Sequence, residues 1–380
     1  MNLPIYLDGF ASLPIAPEAS AAIMEALSSP GNASSPHRAG EQAARRIARA
    51  REEVAALIGA TPGEITFTSG ATEANNLALT GVARASRAPG SNRTRILVSA
   101  IEHKAVLEPA HALEEEGFEV VIAPVDSFGR LDLEAYCGLL DEHILLASVM
   151  AVNNETGVIQ PVREAANAAH AVGALFHCDA AQAAGKLPLD VADLEIDYLS
   201  MSGHKLYGPM GIGALYVAAP VPKPKPLLHG GGQQGGLRPG TEPVALIAGF
   251  GAAAKVAAEH LEADADHGRS LTALFLDELA SRQIRFSLVA ADPDVVPGGL
   301  SIRIDGVDAD HLCIILADKV QISTGSACTS GQLRTSHVLE AMRFSSRAAG
   351  EVVRAFCHRY LNEEDIREAA AHVAAAIRQL

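Results

Sequence analysis

The sequence is poor in cysteine. It contains five cysteines in 380 residues, an odd number, and none of them forms a Cys-X-X-Cys pair. This pattern argues against a disulfide framework and against a thiolate zinc site. The fourteen histidines are scattered and include no His-Glu-X-X-His motif. We therefore expect no structural metal.

The chain also has no excess of positive charge and no long hydrophobic run. The formal net charge is -15, which argues against a nucleic-acid backbone or an anionic membrane as a principal partner. The first ten residues, MNLPIYLDGF, lack a basic segment followed by an apolar one, and no uncharged apolar run is long enough to span a bilayer. We expect a cytoplasmic protein, either a soluble enzyme or a protein that binds other proteins.

Short apolar runs do occur, and they alternate with longer helical patterns. This alternation predicts an α/β fold in which a mostly parallel sheet is covered by helices on both faces. One amphipathic helix is predicted over residues 41–58, where Gly59 stops it, and another begins near Thr72. The predicted strands span residues 65–68, 96–99, 120–123, 144–152, 174–177, 198–201 and 212–217.

The length and the 48% hydrophobic content predict two domains. Proline-rich and glycine-rich segments at 220–226 and 229–240 read as loops, and an alanine-rich helix from Val244 to about Glu262 bridges to a second region. That region has predicted strands at 300–304 and 352–356 and helices at 309–319 and 363–379. We expect a large domain over 15–260 and a smaller α+β domain made of 1–14 and 261–380.

Lys205 is the best indicator of function. It lies in LSMSGHKLYGPMGIG, residues 199–213, between two apolar runs that read as strands. A lysine held there is a candidate for a lowered pKa and for Schiff-base chemistry with an aldehyde cofactor. A solvated loop lysine is the alternative on this segment alone.

Other polar residues also follow predicted strands, at the edge where open α/β sheets bind ligands. Asp179 emerges directly from an apolar strand and needs a cationic partner if it is buried, which a pyridinium nitrogen would supply. The turn at 69–73 enters a helix and suits a phosphate, although Thr72 could be an ordinary N-cap. His103 could stack on a flat ring or be a simple loop histidine, and the amides of 153–154 could reflect turn chemistry alone.

With these segments in order, the chain resembles the class V, fold-type I pyridoxal-phosphate enzymes, and specifically the NifS/IscS-type cysteine desulfurases. The resemblance covers almost the whole chain. The matching segments are TSGATEANNLAL, EHKAVL, NNETG, HCDAAQ, SGHKLYGPMGIGALYV, GGGQQGGLRPGTE and STGSACTSG followed by SHVLEAM.

The resemblance implies roles for individual residues. Lys205 would bind the aldehyde of pyridoxal 5'-phosphate, Asp179 would pair with its ring nitrogen, and His103 would stack on the ring and shuttle protons. Arg354 would grip the carboxylate of the substrate L-cysteine. Asn154 and Gln182 would lie near the phenolate oxygen and the substrate. The phosphate would be held by Ala71, Thr72, Ser202 and His204, with Thr241 reaching it from the neighbouring subunit of a homodimer.

Cys328 is the residue that distinguishes a desulfurase from other enzymes of this fold. It lies among small residues in TGSACTSG, which predicts a mobile, exposed loop of the smaller domain, whereas Cys313 stands between two apolar residues. The resemblance implies that its thiol attacks the substrate sulfur, becomes a persulfide and passes that sulfur to an acceptor protein while L-alanine leaves. No basic residue adjoins Cys328, so the sequence does not show how the thiol is activated.

Three functions remain open at this point. The chain could be an active cysteine desulfurase, another class V enzyme such as a selenocysteine lyase or an aminotransferase-like relative, or a non-catalytic protein that keeps the fold as a docking surface. The long segment from Cys328 to Ser336 resembles the longer-loop desulfurases and favours iron–sulfur cluster assembly. Sulfur donation for tRNA or DNA thiolation is the alternative.

The chain departs from the family pattern at several positions. Residues 9–13 read Gly-Phe-Ala-Ser-Leu where Asn-Ala-Ala-Thr-Thr is usual, and Phe356 stands where a serine is usual. Met210 replaces a common lysine, and Gln234 replaces a usual glutamate. We expect Gly9, Phe10 and Phe356 to alter the pocket wall and hence the substrate fit and the rate.

Overall fold

The computed structural model of the chain describes residues 3–87, 92–290, 294–325 and 335–380. Its strands are β1 (Ile5–Tyr6), β2 (Ile65–Thr68), β3 (Arg95–Ser99), β4 (Glu119–Ala123), β5 (Ile144–Ser148), β6 (Leu175–Asp179), β7 (Tyr198–Ser202), β8 (Gly213–Val217), β9 (Phe286–Leu288), β10 (Gly299–Ile304), β11 (Val320–Gln321) and β12 (Val352–Phe356). Its α-helices are α1 (Pro17–Leu27), α2 (Arg38–Leu57), α3 (Ala71–Ala85), α4 (Lys104–Ala112), α5 (Leu133–Leu139), α6 (Val162–Ala171), α7 (Val244–Ser281), α8 (Ala309–Leu316), α9 (His337–Ala341), α10 (Ser346–Ala349) and α11 (Glu363–Ile377).

The central sheet has seven strands in the order β2-β8-β7-β6-β5-β3-β4. All are parallel except β8, which pairs antiparallel with both β7 and β2. Six strands therefore end at the same edge. The predicted α/β fold with a mostly parallel sheet is confirmed.

Side chains alternate between the two faces of this sheet along each strand, and they pack into a separate core on each face. In β3, Leu97 packs into the core that contains α2 and α6, whereas Ile96 and Val98 pack into the core formed with α3 and α4. Period-two alternation of this kind sends successive side chains to opposite faces. Because both faces are covered, the strands read as continuous apolar runs in the sequence.

The predicted strand at 144–152 is too long. Strand β5 ends at Ser148, although the backbone N–H groups of Val149 and Ala151 still donate to the His177 and Asp179 carbonyls of β6, at 3.1 and 2.9 Å. Between them, the backbone N–H of Met150 donates to Glu102 Oε1 at 2.6 Å. A buried carboxyl therefore takes the place of a strand partner at residue 150.

Helix α7 is longer than predicted and contributes to two cores. Its first half buries Ile247 and Phe250 against the central core, and its second half buries Leu271 and Phe275 in a core around the antiparallel sheet β12-β10-β9. Within the described residues it is the one helix that is long and apolar enough to cross a bilayer. Of its most apolar stretch of 18 residues, however, 44% is buried inside the protein. Its packing is that of a core helix.

The predicted domain boundaries stay predictions. The boundary at residue 260 falls inside α7. Near the N-terminus, Leu7 packs in the core of the antiparallel sheet, whereas Phe10 and Leu13 pack in the central core. The N-terminal segment therefore passes from one core to the other before residue 14.

Gly251 in α7 is expected to be intolerant of alanine. A Cβ added there would lie 2.5 Å from Ala50 Cα on α2, so the G251A substitution forces the two helices apart. Although alanine favours helix by up to ~1 kcal/mol, overpacking costs about 1–3 kcal/mol, and we expect a net loss in the free energy of unfolding measured by urea titration.

Gly138 in α5 is the matched control, because an added Cβ meets no atom within 4 Å. The G138A substitution should leave stability unchanged or raise it slightly. Equal stability of G251A and G138A would contradict the close approach of α7 and α2.

Candidate active site

A cavity of about 460 Å³ opens at the edge where the parallel strands end. Its walls come from the segments that follow β2, β3, β5, β6 and β7, with one contribution from β12. Ten of the predicted site residues line it, namely Ala71, Thr72, His103, Asn154, Asp179, Gln182, Ser202, His204, Lys205 and Arg354. Residues from distant parts of the sequence thus meet at one edge, as open α/β sheets require.

Lys205 ends the short 3-10 turn Gly203–Lys205, directly after β7. Its ammonium donates to the backbone carbonyl oxygens of Phe10 and Ala11, at 2.9 Å for Ala11. Backbone carbonyls orient the amine without supplying a charge. The lysine predicted to bind an aldehyde is therefore held in the cavity by the N-terminal segment.

Asp179 ends β6 and is 4% exposed. Asn75 Nδ2 donates to its Oδ2 at 2.7 Å, and the Ala181 backbone N–H donates to its Oδ1 at 2.9 Å. These two donors fix the orientation of the carboxylate at the end of β6. Asn75 itself has a buried Oδ1 with no partner among the described residues.

A second acid, Glu102, lies behind Asp179. Burial, reinforced by the charge of Asp179, raises the pKa of the Glu102 carboxyl well above its usual value. Burial and that neighbouring charge both favour the neutral form of the Glu102 carboxyl.

His103 precedes helix α4 and caps it. The Ala105 backbone N–H donates to His103 Nδ1 at 3.0 Å, so the neutral ring carries its hydrogen on Nε2. Burial lowers the pKa of His103, although Asp179 opposes that effect. A neutral imidazole on the cavity wall can stack on a flat ring and move a proton at Nε2.

Arg354 on β12 is 3% exposed and held on three sides. Its Nε donates to Ser323 Oγ at 2.9 Å and its Nη1 to the Asn154 carbonyl at 2.9 Å, and its Nη2 lies 3.7 Å from Asp8 Oδ1. These contacts fix the plane of a guanidinium that lines the cavity. Such a fork can hold a carboxylate.

The turn predicted to hold a phosphate lies at the start of helix α3. No described side chain caps α3 at Gly70, so its first backbone N–H groups are available to an anion. Thr72, Ser202 and His204 line the cavity beside them. Burial first, then the charges of Lys205 and Lys186, lowers the pKa of His204 to about 4.

Two predicted site residues are not among these ten. Thr241 is exposed and does not line the cavity of its own chain. Cys328 and the loop predicted around it lie outside the described residues. On either side of that segment, Gly325 lies against the Glu155 carboxylate, and Ser336 Oγ donates to Glu155 Oε2 at 2.5 Å.

The departures at residues 9, 10 and 356 prove to be mutually dependent. The rings of Phe10 and Phe356 pack edge to face, with centroids 5.2 Å apart and planes at 74°. A Cβ added at Gly9 would lie 2.7 Å from Phe356 Cδ1. Phe356 therefore fits only because residue 9 has no side chain.

The other two departures lie at the edges of the site. Met210 is 67% exposed at the cavity rim. Gln234 accepts from Arg51 Nη2 at 2.9 Å and from the Phe67 backbone N–H at 3.0 Å, and it donates to Glu242. A glutamate at 234 would place a second carboxylate beside Glu242.

Sequence reasoning missed the residues that hold the predicted ones in place. Asn75, Asp8, Ser323 and the carbonyls of Phe10 and Ala11 were not identified. Asn75 gave one usable signal, since it is a polar residue on the buried face of an otherwise apolar helix. The others act through backbone atoms or through partners hundreds of residues away.

The sequence pattern of the aminotransferase class-V family matches residues 5–368. The chain is 40% identical over 383 residues to the cysteine desulfurase IscS of Rickettsia akari, covering all of this chain and 92% of that protein. A NifS-like protein of known structure superposes with a TM-score of 0.91 at 34% identity, with both chains fully covered. A structure of SspA in complex with cysteine superposes with a TM-score of 0.80 at 35% identity, covering 94% of this chain and 99% of the other.

The chain therefore belongs to the aminotransferase class-V family. Within that family it groups with the IscS and NifS cysteine desulfurases, which are pyridoxal-phosphate-dependent enzymes. The resemblance and the cofactor predicted from the sequence are confirmed.

The cavity fits pyridoxal phosphate on its own chemistry. It combines an uncapped helix N-terminus for a phosphate, a buried carboxylate for a ring nitrogen, and an amine for an aldehyde. The imidazole of His103 offers an aromatic face between them. The described wall thus offers a partner for each of these parts of the cofactor.

A double-mutant cycle tests the coupling of Gly9 with Phe356. G9A should destabilise the protein by about 1–3 kcal/mol through overpacking, and F356S should destabilise it by leaving a cavity. In the double variant G9A/F356S the 2.7 Å contact with the Phe356 ring is gone, although Leu13 Cδ2 at 2.9 Å and the Cβ of residue 356 at 3.0 Å stay close to the added methyl group. The loss in the free energy of unfolding should therefore be smaller than the sum of the single losses. Strictly additive losses in urea titrations would show that the two positions do not interact.

Proposed function

We propose that this protein is a cysteine desulfurase that converts L-cysteine to L-alanine and passes the sulfur to an acceptor protein. The observation that carries the proposal is the convergence of Lys205, Asp179, His103 and Arg354 in one cavity. The solved structure of SspA, which is named as a complex with cysteine, supports the choice of substrate. Its chain is 35% identical to this one.

The side chains divide the work by position. Arg354 binds the substrate carboxylate, because its fork is held rigid by Ser323, Asn154 and Asp8. Asp179 holds the proton of the cofactor ring nitrogen. When bound, pyridoxal phosphate supplies an electron sink that makes the α-hydrogen of the amino acid acidic.

Proton movement falls to the two bases of the cavity. As a free amine, Lys205 Nζ would take the proton from the substrate Cα, since the Phe10 and Ala11 carbonyls hold this nitrogen in the cavity. His103 transfers protons through Nε2, because burial lowers the pKa of its ring and its Nδ1 accepts from the Ala105 backbone N–H.

We assign sulfur transfer to Cys328. Its thiolate attacks the substrate sulfur, so that an S–S bond forms while the C–S bond breaks and its electron pair stays with carbon. Protonation of that carbon yields L-alanine, and the persulfide sulfur then moves to a thiolate of the acceptor. The assignment rests on the family resemblance of the segment around Cys328.

We also propose that the enzyme works as a homodimer in the cytoplasm and serves iron–sulfur cluster assembly. Thr241 is absent from the cavity of its own chain, which supports a role in the site of a neighbouring subunit. The described cysteines are all free thiols, consistent with a reducing compartment.

Replacement of Cys328 tests the chemistry. With L-cysteine and a reductant, C328S should still bind the cofactor and change its absorption spectrum on adding cysteine, yet form alanine and sulfide at least about 10²-fold more slowly, because the nucleophile is missing. C137S, which alters an exposed cysteine on α5, is the matched control and should turn over normally. Full turnover by C328S, or turnover of selenocysteine or keto acids alone, would refute the proposal.

Transfer of labelled sulfur from cysteine identifies the acceptor. We expect label from the wild-type enzyme, and none from C328S, on an iron–sulfur scaffold protein. The same assay includes acceptors for tRNA and DNA thiolation. Label on those proteins without label on the scaffold would overturn the cluster-assembly route.

A further inference from the structure

A second lysine is buried behind the cavity. Lys186 is 7% exposed, and its ammonium donates to Gln182 Oε1 at 2.7 Å. The same nitrogen lies 5.1 Å from the centre of the Phe356 ring. In the described part of the chain no carboxylate forms an ion pair with Lys186. Burying an ammonium costs free energy unless hydrogen bonds or an ion pair replace its lost solvation.

The main contact of Lys186 is with the side-chain amide of Gln182, which is 3% exposed and lines the cavity. Gln182 Nε2 in turn donates to the Phe10 carbonyl at 2.8 Å. A lysine ammonium can only donate and a carbonyl can only accept. The amide therefore has one allowed orientation. In the flipped orientation Nε2 would face the Lys186 donor and Oε1 would face the Phe10 carbonyl oxygen.

In this orientation one Nε2 hydrogen is used by Phe10 and the other is available to an oxygen in the cavity. The Phe10 carbonyl also accepts from Lys205. A continuous set of hydrogen bonds thus runs from Lys186 through Gln182 and Phe10 to the lysine that binds the cofactor.

We propose that Lys186 is a positioning residue, which locks the Gln182 amide so that Gln182 donates a hydrogen bond to an anionic oxygen of the bound pyridoxal phosphate. The inference rests on the cofactor site described above and adds a residue that makes no contact with the cofactor itself. Phe356 supports the lock, since its ring covers the lysine side chain.

The titratable groups that face Lys186 are Lys205 and His204. His204 is neutral at working pH, because burial and both lysines lower its pKa to about 4. Burial, followed by the charge of Lys205, lowers the pKa of Lys186 well below its usual value. The ammonium form gives the lock, because a neutral amine could also accept a hydrogen bond from the amide.

The test is a pH titration of the visible absorption band of the bound cofactor in four holoenzymes, namely wild type, Q182A, K186M and Q182A/K186M. Q182A removes the amide donor, so the midpoint of the titration should shift. K186M should shift the midpoint in the same direction, and by no more than Q182A does. If Lys186 acts through Gln182, the double variant should match Q182A. K255M, which alters a surface lysine of α7 paired with Glu259, should leave the midpoint unchanged.

Two results would overturn the inference: an unchanged midpoint in K186M, or a further shift when K186M is added to Q182A. K186Q, which keeps an N–H donor, is titrated in parallel and should shift the midpoint less than K186M. If K186M does not fold, K186Q and Q182A/K186Q give the same comparison. Wild type without a visible band would instead refute the cofactor site itself.

Discussion

A buried carboxylate at the end of a parallel strand is the constraint on which the rest of the site depends. Asp179 is 4% exposed, and Asn75 and the Ala181 backbone N–H donate to its two carboxylate oxygens. Burial, and then the charge of Asp179, raises the pKa of the Glu102 carboxyl well above its usual value. Glu102 accepts from the Met150 backbone N–H, while the Asp179 carbonyl accepts from the backbone N–H of Ala151. The two acids thus fix the backbone that follows β5 and lines the cavity.

Backbone atoms explain how the chain tolerates an unusual N-terminal segment. Lys205 is oriented by carbonyl oxygens of residues 10 and 11, and Gln182 by the carbonyl of residue 10. Carbonyls are present whatever side chains the segment carries. The side chains are therefore free to change as a set, and Phe10 and Phe356 do so by packing together beside Gly9.

The central fold could be predicted from the sequence because its signals are local. Continuous apolar runs marked β2, β3 and β6 to within two residues, and Lys205 and Asp179 were found because each follows such a run. The residues that hold them could not be found in this way. Asp8 and Ser323 are 315 positions apart in the chain, yet their side chains are hydrogen-bonded at 2.7 Å. No local pattern encodes such a pair, and the two-residue strands β1 and β11 that bring it together are too short to show periodicity.

The described residues on both sides of the Cys328 segment contact the loop that follows β5. Asn154 accepts from Arg354 through its carbonyl and lines the cavity. The next residue, Glu155, is 7% exposed and touches Gly325 on one side of the segment and Ser336 on the other. Both attachment points are therefore fixed to the wall that holds the arginine proposed to bind the substrate carboxylate. Because Ser336 also caps α9 by accepting from the Leu339 backbone N–H at 3.2 Å, the Glu155 carboxylate couples the geometry of the cavity to the helix that follows the cysteine.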